Sequence, residues 1–210
     1  MKNIIFDLGD VIIPIDLRAP LRNFAQLANR TEAEMEALWK QHGIWKQYET
    51  GLVDDEAFRA AVRSLVRDES DEPDRWADEI IDTAWNSVLL DLPVERIERI
   101  QSLKGKYRLF LLSNTNAIHI REVDNRLAEL GQPSLESLFD QVYYSHIVRM
   151  LKPNPDIYGY VLEQANLEPS ETLFLDDNLL NIQAAAALGI RAVQVVAPKT
   201  ILDYLDEIGA

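Results

Sequence analysis

NIIFDLGDV, residues 3–11, decides the fold. A short strand-forming run, Ile4-Ile5-Phe6, stops abruptly at Asp7, and Leu8-Gly9-Asp10 follows at once. Ile and Phe suit a pleated, buried surface. A carboxylate on the end of a buried strand is costly unless it is hydrated, paired or bound to something. Asp7 therefore either begins an ordinary surface turn or is presented at a site, and the rest of the chain has to decide.

Four more runs of the same kind follow: RLFLL (108–112), QVYY (141–144), TLFL (172–175) and AVQVV (192–196). Continuous apolar strands suit a parallel sheet covered by helices on both faces. Between them lie helical patterns. Pro93 opens VERIERIQSLK, where Val94, Ile97, Ile100 and Leu103 share a face and Gly105 marks the end. Residues 156–167 and 181–190 read in the same way. This alternation predicts an α/β core with a doubly wound, mostly parallel, Rossmann-like sheet.

Residues 16–90 break the pattern, with no convincing strand. Thr31 and Glu34 fit a capping box. Asp54 or Asp55 is placed to cap a helix whose Phe58, Val62, Leu65 and Val66 form an apolar stripe. Trp76, Ile80 and Ala84 mark another helix, with Trp85 at its edge. The expected organisation is a core of residues 1–15 and 91–210 with a helical cap, residues 16–90, inserted after the first strand.

The composition, 47% hydrophobic and 27% charged over 210 residues, is that of a globular domain. A formal charge of −14 argues against nucleic acid or an anionic membrane as partner. The absence of cysteine removes disulfides, thiolate catalysis and thiolate metal sites. His42, His119 and His146 lack metal-ligand spacing and read as packing or surface residues. No run approaches the ~20 apolar residues of a membrane helix, and the N-terminus lacks the pattern of a signal peptide, so a cytoplasmic location is expected. Oligomeric state is left open.

In open α/β sheets, ligands bind beyond the carboxyl ends of the strands, near the point where strand order reverses. Asp7-Leu8-Gly9-Asp10 follows the first strand, Ser113-Asn114-Thr115-Asn116 the second, Lys152-Pro153 comes beyond the third, and Asp176-Asp177-Asn178 follows the fourth. Singly, each has an ordinary reading as a turn or helix cap. Adjacent carboxylates after a buried strand repel unless a cation lies between them, and the coincidence of all four at strand ends favours a site.

FDLGDV, LLSNTN, LKPNPDIY and LFLDDNLLNIQAAAALGI, in this order, resemble the four motifs of the haloacid dehalogenase-like hydrolases. The resemblance covers most of the chain and is closest to glucose-1-phosphate phosphatases and epoxide-hydrolase N-terminal phosphatase domains. It implies a Mg²⁺-dependent phosphomonoester hydrolase acting on a small phosphorylated metabolite, a sugar phosphate among the options, through an aspartyl-phosphate. Asp7 would be the nucleophile. Mg²⁺ would be held by Asp7, the Gly9 carbonyl and Asp177, an oxygen-only set of the kind that ion prefers. Ser113 and Asn114 would bind a phosphate oxygen, Lys152 would neutralise charge, and Asp176 would lie behind the metal ligands, binding through water or orienting Lys152.

The chain departs from the resemblance at Gly9, where most phosphatases of this kind carry a second aspartate as acid and base. Asp10, one residue later, either takes that duty or caps a following helix. Two competing readings stand beside the phosphatase. A metal-independent dehalogenase is disfavoured by Gly9, where such enzymes resemble one another in carrying a bulky residue. A phospho-ligand binding module without turnover is disfavoured by the retention of Asp7, Lys152 and Asp177. The cap aromatics Trp39, Trp45, Tyr48 and Phe58 read as core packing or as a contribution to the substrate pocket.

Overall fold

The computed structural model describes residues 1–67 and 73–209. Strand β1 (Asn3–Phe6) leads through a turn into five helices, α1 (Ala19–Leu27), α2 (Glu32–His42), α3 (Ile44–Glu49), α4 (Asp55–Val66) and α5 (Asp78–Asn86). The chain continues with α6 (Val94–Leu103), β2 (Arg108–Ser113), α7 (Ala117–Glu129), α8 (Leu135–Leu138), β3 (Gln141–Tyr144), α9 (Ser145–Val148) and α10 (Pro155–Gln164). It ends with β4 (Thr172–Asp176), α11 (Leu179–Ala187), β5 (Arg191–Gln194) and α12 (Ile201–Glu207).

The five strands form one parallel sheet in the order β3-β2-β1-β4-β5. The apolar runs are continuous because successive side chains serve opposite faces. Ile4, Phe6, Leu109, Leu111, Leu173 and Leu175 pack with Ile97 and Ile100 of α6 and Leu127 of α7. Ile5, Phe110, Leu112 and Phe174 pack with Ile157 and Val161 of α10. Strand order reverses between β1 and β4, so Asp7 and Asp176 stand side by side at the crevice expected for ligands.

The three helical patterns of the core fold as expected, ending slightly early. Asn166 and Gly189 adopt left-handed conformations just past α10 and α11, which stops each helix short of its apolar pattern. The described residues between 19 and 86 form a separate helical layer around Phe24, Met35, Phe58, Val62 and Trp85. Residues 68–72 of the segment expected as a cap lie outside the described residues. Thr31 makes the capping box with Glu34, and Asp54 caps α4. In α5 the buried residue is Ile81, rather than the Ile80 expected from the spacing. Trp76 belongs to a preceding 3-10 turn (Pro73–Trp76), and this shifts the register of the stripe. Trp85 is buried, not at an edge.

The helical layer joins the sheet through two segments that pair with each other. The Asp16 N–H donates to the Val88 carbonyl and the Leu90 N–H to the Pro14 carbonyl. It also touches the core elsewhere: the Ile118 N–H of α7 donates to the Tyr48 hydroxyl at 3.2 Å, and Arg121 pairs with Asp55 at 2.6 Å. Gly51 has φ +65°, and a Cβ there would fall 2.0 Å from the His146 carbonyl oxygen. Only glycine fits this contact. Gly51→Ala is expected to destabilise the fold by about 1–3 kcal/mol in urea unfolding; an unchanged midpoint would show that this close approach is not maintained in solution.

Candidate active site

Asp7 leaves the end of β1, its N–H bonded to the Leu175 carbonyl of β4. Its Oδ1 accepts from the Leu8 N–H at 2.7 Å. Lys152 reaches Asp7 from beyond α9. Its Nζ lies 2.7 Å from Asp7 Oδ1 and 2.7 Å from Asp176 Oδ2, and donates to the Leu112 carbonyl at 2.9 Å. The lysine side chain is 1% exposed and that of Asp176 is fully buried. One ammonium thus holds two carboxylates out of water. Burial alone would lower the Lys152 pKa, but Asp7 and Asp176 outweigh it and hold the ammonium above its ordinary value. Burial raises the Asp7 carboxyl well above the usual carboxylate range, against the pull of Lys152 and with help from Asp176.

Each member of this trio is fixed from behind. Asn114 and Lys152 exchange a reciprocal pair of bonds: Asn114 Nδ2 donates to the Lys152 carbonyl and the Lys152 N–H to Asn114 Oδ1, both at 2.9 Å. Asp176 accepts from the Asn178 N–H at 2.8 Å and from Asn181 Nδ2 at 2.9 and 3.0 Å. Asn181 lies outside the residues that the strand-end pattern points to. Its signal is an asparagine on the buried side of an alanine-rich helix whose other polar residue, Gln183, is exposed; a buried amide needs a partner. Ser113 ends β2 and is buried.

Asp177 follows Asp176 and is half-buried. Burial, then Asp176 and Asp10, raise its pKa. Carboxylate oxygens of Asp7, Asp176 and Asp177 all lie within 4.8 Å of one another. Three carboxylates with one lysine among them leave an excess of negative charge, and the donor set is oxygen only. This fits magnesium.

One expectation beside Gly9 is revised. No helix follows Asp10: residues 10–12 form a turn, and the sequence Val11-Ile12-Ile13 is buried in the core rather than wound into a helix. Asp10 itself sits at φ +53° and is exposed, and its Oδ1 accepts from the Ile15 N–H at 3.0 Å. It clamps the turn rather than capping a helix. The Ile15 Cδ1 lies 3.0 Å from the place a Cβ at position 9 would occupy, so Ile15 fills the space a side chain there would need. Asp10 also lines a cavity of about 450 Å³ together with Asp177, Arg96 and Gln194.

Of the histidines, His119 is buried, stacked on Trp85 at 5.0 Å, and bonded to Asn86. His146 is half-buried and stacks on Tyr144. His42 is exposed. Tyr48 and Phe58 are buried and stacked at 4.4 Å, whereas Trp39 and Trp45 line a cavity of about 360 Å³.

The family model for haloacid dehalogenase-like hydrolases matches residues 1–189. The chain belongs to that family. It is 28% identical over 99% of its length to D-ribitol-5-phosphate phosphatase of Bacteroides thetaiotaomicron, covering 97% of that protein. Over 53% of its length it is 30% identical to a phosphorylated carbohydrates phosphatase of Thermotoga maritima, covering 58% of it. Among solved structures it superimposes with a TM-score of 0.84, at 33% identity and 95% coverage, on a family enzyme of Bacteroides thetaiotaomicron in complex with magnesium and inorganic phosphate, covering 96% of that chain. A predicted hydrolase of the family from Porphyromonas gingivalis gives a TM-score of 0.85 at 29% identity, covering 99% of this chain and 97% of that one. Among the described residues, no helix is long and apolar enough to cross a membrane.

Lys152→Met is expected to destabilise the chelated protein by about 3–5 kcal/mol, because it strands two buried carboxylates. Added Mg²⁺ should then raise the melting temperature of the variant more than that of the wild type. Equal stability of the two proteins in chelator would show that the lysine does not neutralise the pair.

Proposed function

We propose that the chain is a magnesium-dependent phosphomonoester hydrolase acting on a small phosphorylated metabolite, with Asp7 as nucleophile. The observation that carries this reading is the Lys152 ammonium 2.7 Å from both Asp7 and Asp176 at the strand-order reversal. The family membership and the phosphatases among the relatives support it.

Magnesium would be held by Asp7, Asp177 and the Gly9 carbonyl, with Asp176 behind them. When bound, the ion supplies positive charge to a phosphate that must enter an acidic cluster. The remaining work falls to the chain. Lys152 favours the ionised form of Asp7 against the effect of burial and offsets charge on the transferring phosphoryl group, the electrostatic task that dominates such reactions. An Asp7 oxygen bonds to phosphorus as the ester P–O bond breaks and the leaving oxygen departs. Water then attacks phosphorus, releasing inorganic phosphate and restoring Asp7. Ser113 and the Asn114 N–H hold a phosphate oxygen, and the Asn114 side chain keeps Lys152 in register with them.

Two duties compete for Asp10, with an observation for each. Its bond from Ile15 supports a clamp on the turn that carries Gly9. Its place in one cavity with Asp177 supports proton transfer to the leaving group. Asp10→Asn separates them: a proton donor predicts a loss of about 10²-fold for poor leaving groups and far less for good ones, whereas a clamp predicts equal losses.

Residues 16–90 act as a cap over the crevice, on a core of residues 1–15 and 91–210. The pairing of residues 14–16 with 88–90 supports those boundaries. The dehalogenase reading finds no support beyond the fold: an L-2-haloacid dehalogenase of Xanthobacter autotrophicus shares 21% identity and a TM-score of 0.59.

The test is phosphate release from aryl and sugar phosphates with Mg²⁺, after EDTA, and after Mg²⁺ is restored. Release should stop with EDTA and return with the ion, and Asp7→Asn should abolish it. Undiminished turnover by Asp7→Asn would remove the mechanism; silence of the folded wild type with Mg²⁺ present would favour a binding module.

A further inference from the structure

A second cavity, of about 360 Å³, opens between the helical layer and the core. Trp39 and Trp45 line it from one side, and Val88 and His119 from the other. Two links lead from it toward the site. Leu17 and Arg18 on its rim follow the turn that begins at Asp7. Trp85 in its wall donates its indole N–H to Asn116, in the loop that begins at Ser113. The volume is ample for a small organic group.

Glu49 lies in this largely apolar lining. It is half-buried, and among the described residues it has no hydrogen-bond or ion-pair partner. The other charged groups of the lining are engaged: Arg18 with Glu32 and Glu36, and Lys40 with Glu36. Glu49 is also the last residue of α3, where the free carbonyl ends of a helix disfavour negative charge. Burial pushes its carboxyl up to about 7. Nothing in the packing accounts for an unpaired carboxylate here. Its position is nevertheless well defined, because its neighbour Tyr48 is tied to α7 through the Ile118 N–H and to α4 through Asp55.

The aromatic residues decide what such a carboxylate would bind. Trp85 is stacked between Trp39, 5.4 Å away, and His119, 5.0 Å away, and Trp39 also packs on Phe24. Their faces are largely taken by one another, which leaves little free π-surface for a cation. Trp45, 39% exposed, is the tryptophan with a free surface, and it sits one turn before Glu49 on α3. A flat apolar ring beside a hydrogen-bond acceptor suits a neutral group that has both C–H faces and hydroxyls.

Resting on the phosphatase reading, we infer that this cavity receives the organic part of the substrate, that this part is a neutral polyol or sugar, and that Glu49 selects it by accepting a hydroxyl hydrogen bond. Glu49 is a specificity residue, not a catalytic one.

Glu49→Gln keeps the shape and removes the charge-assisted acceptor. With Mg²⁺, kcat/KM is measured for ribitol 5-phosphate, p-nitrophenyl phosphate and phosphoethanolamine. The expected result is that the preference for ribitol 5-phosphate over p-nitrophenyl phosphate falls about tenfold or more, with folding checked by circular dichroism. An unchanged ratio overturns the inference. So does a wild-type preference for phosphoethanolamine that collapses in Glu49→Gln, which would make the site a cation site. A second arm reads binding without turnover: tryptophan-fluorescence titration of ribitol 5-phosphate into Asp7→Asn with and without Glu49→Gln. A Kd weakened about tenfold by the glutamine supports the inference even if the wild type releases no phosphate from any ester, the result that sinks the phosphatase reading alone. Equal Kd values overturn it.

Discussion

A single buried ammonium shared between two carboxylates organises this molecule. Lys152, Asp7 and Asp176 come from beyond α9, the end of β1 and the end of β4, and none of them is tolerable in the interior by itself. Their meeting requires the strand order that places β1 beside β4 and the Asn114 bonds that hold the lysine backbone in place. The trio still carries a net negative charge, and Asp177 adds to it. That unspent charge is what makes the crevice a place for a divalent cation, and through it for a phosphate, on a protein whose overall charge is −14.

The helical layer is tied to this centre by contacts of a different sort. Tyr48, Asp55 and Trp85 hold α7 and the loop before it, and Gly51 lets the backbone run against His146. One of them, the bond from Trp85 to Asn116, links a wall of the tryptophan-lined cavity to the loop that begins at Ser113. Stability and the inferred recognition therefore share residues: Trp85 is at once a core residue of the layer, a wall of the cavity and a hydrogen-bond donor to Asn116.

Much of this was legible in the sequence, because burial on both faces of a sheet leaves uninterrupted apolar runs and polar residues then stand out at their ends. All five strands appear where those runs lie, and Asp7, Lys152, Asp176 and Asp177 converge as their positions after strands suggested. What escaped depended on three-dimensional neighbours. Asn181 carries meaning only once Asp176 is known to face it. Glu49 looks like any acidic residue of a helix until its surroundings prove apolar and unpaired. Asp10 was open between helix cap and catalyst because spacing cannot show that Val11-Ile12-Ile13 turns into the core instead of starting a helix. The register of α5 slipped for a similar reason, a 3-10 turn that the apolar spacing does not distinguish from a helix.

The central claim is that Lys152 and Asp176 present Asp7 as a nucleophile toward phosphorus, and its most direct test is chemical trapping. The wild type would be acid-quenched during turnover of a phosphomonoester with Mg²⁺, reduced with borohydride and mapped by mass spectrometry. An acyl phosphate at Asp7 predicts conversion of that residue to homoserine, only when substrate is present. Steady phosphate release with an unmodified residue 7 and substrate-dependent reduction of another carboxylate would contradict the account.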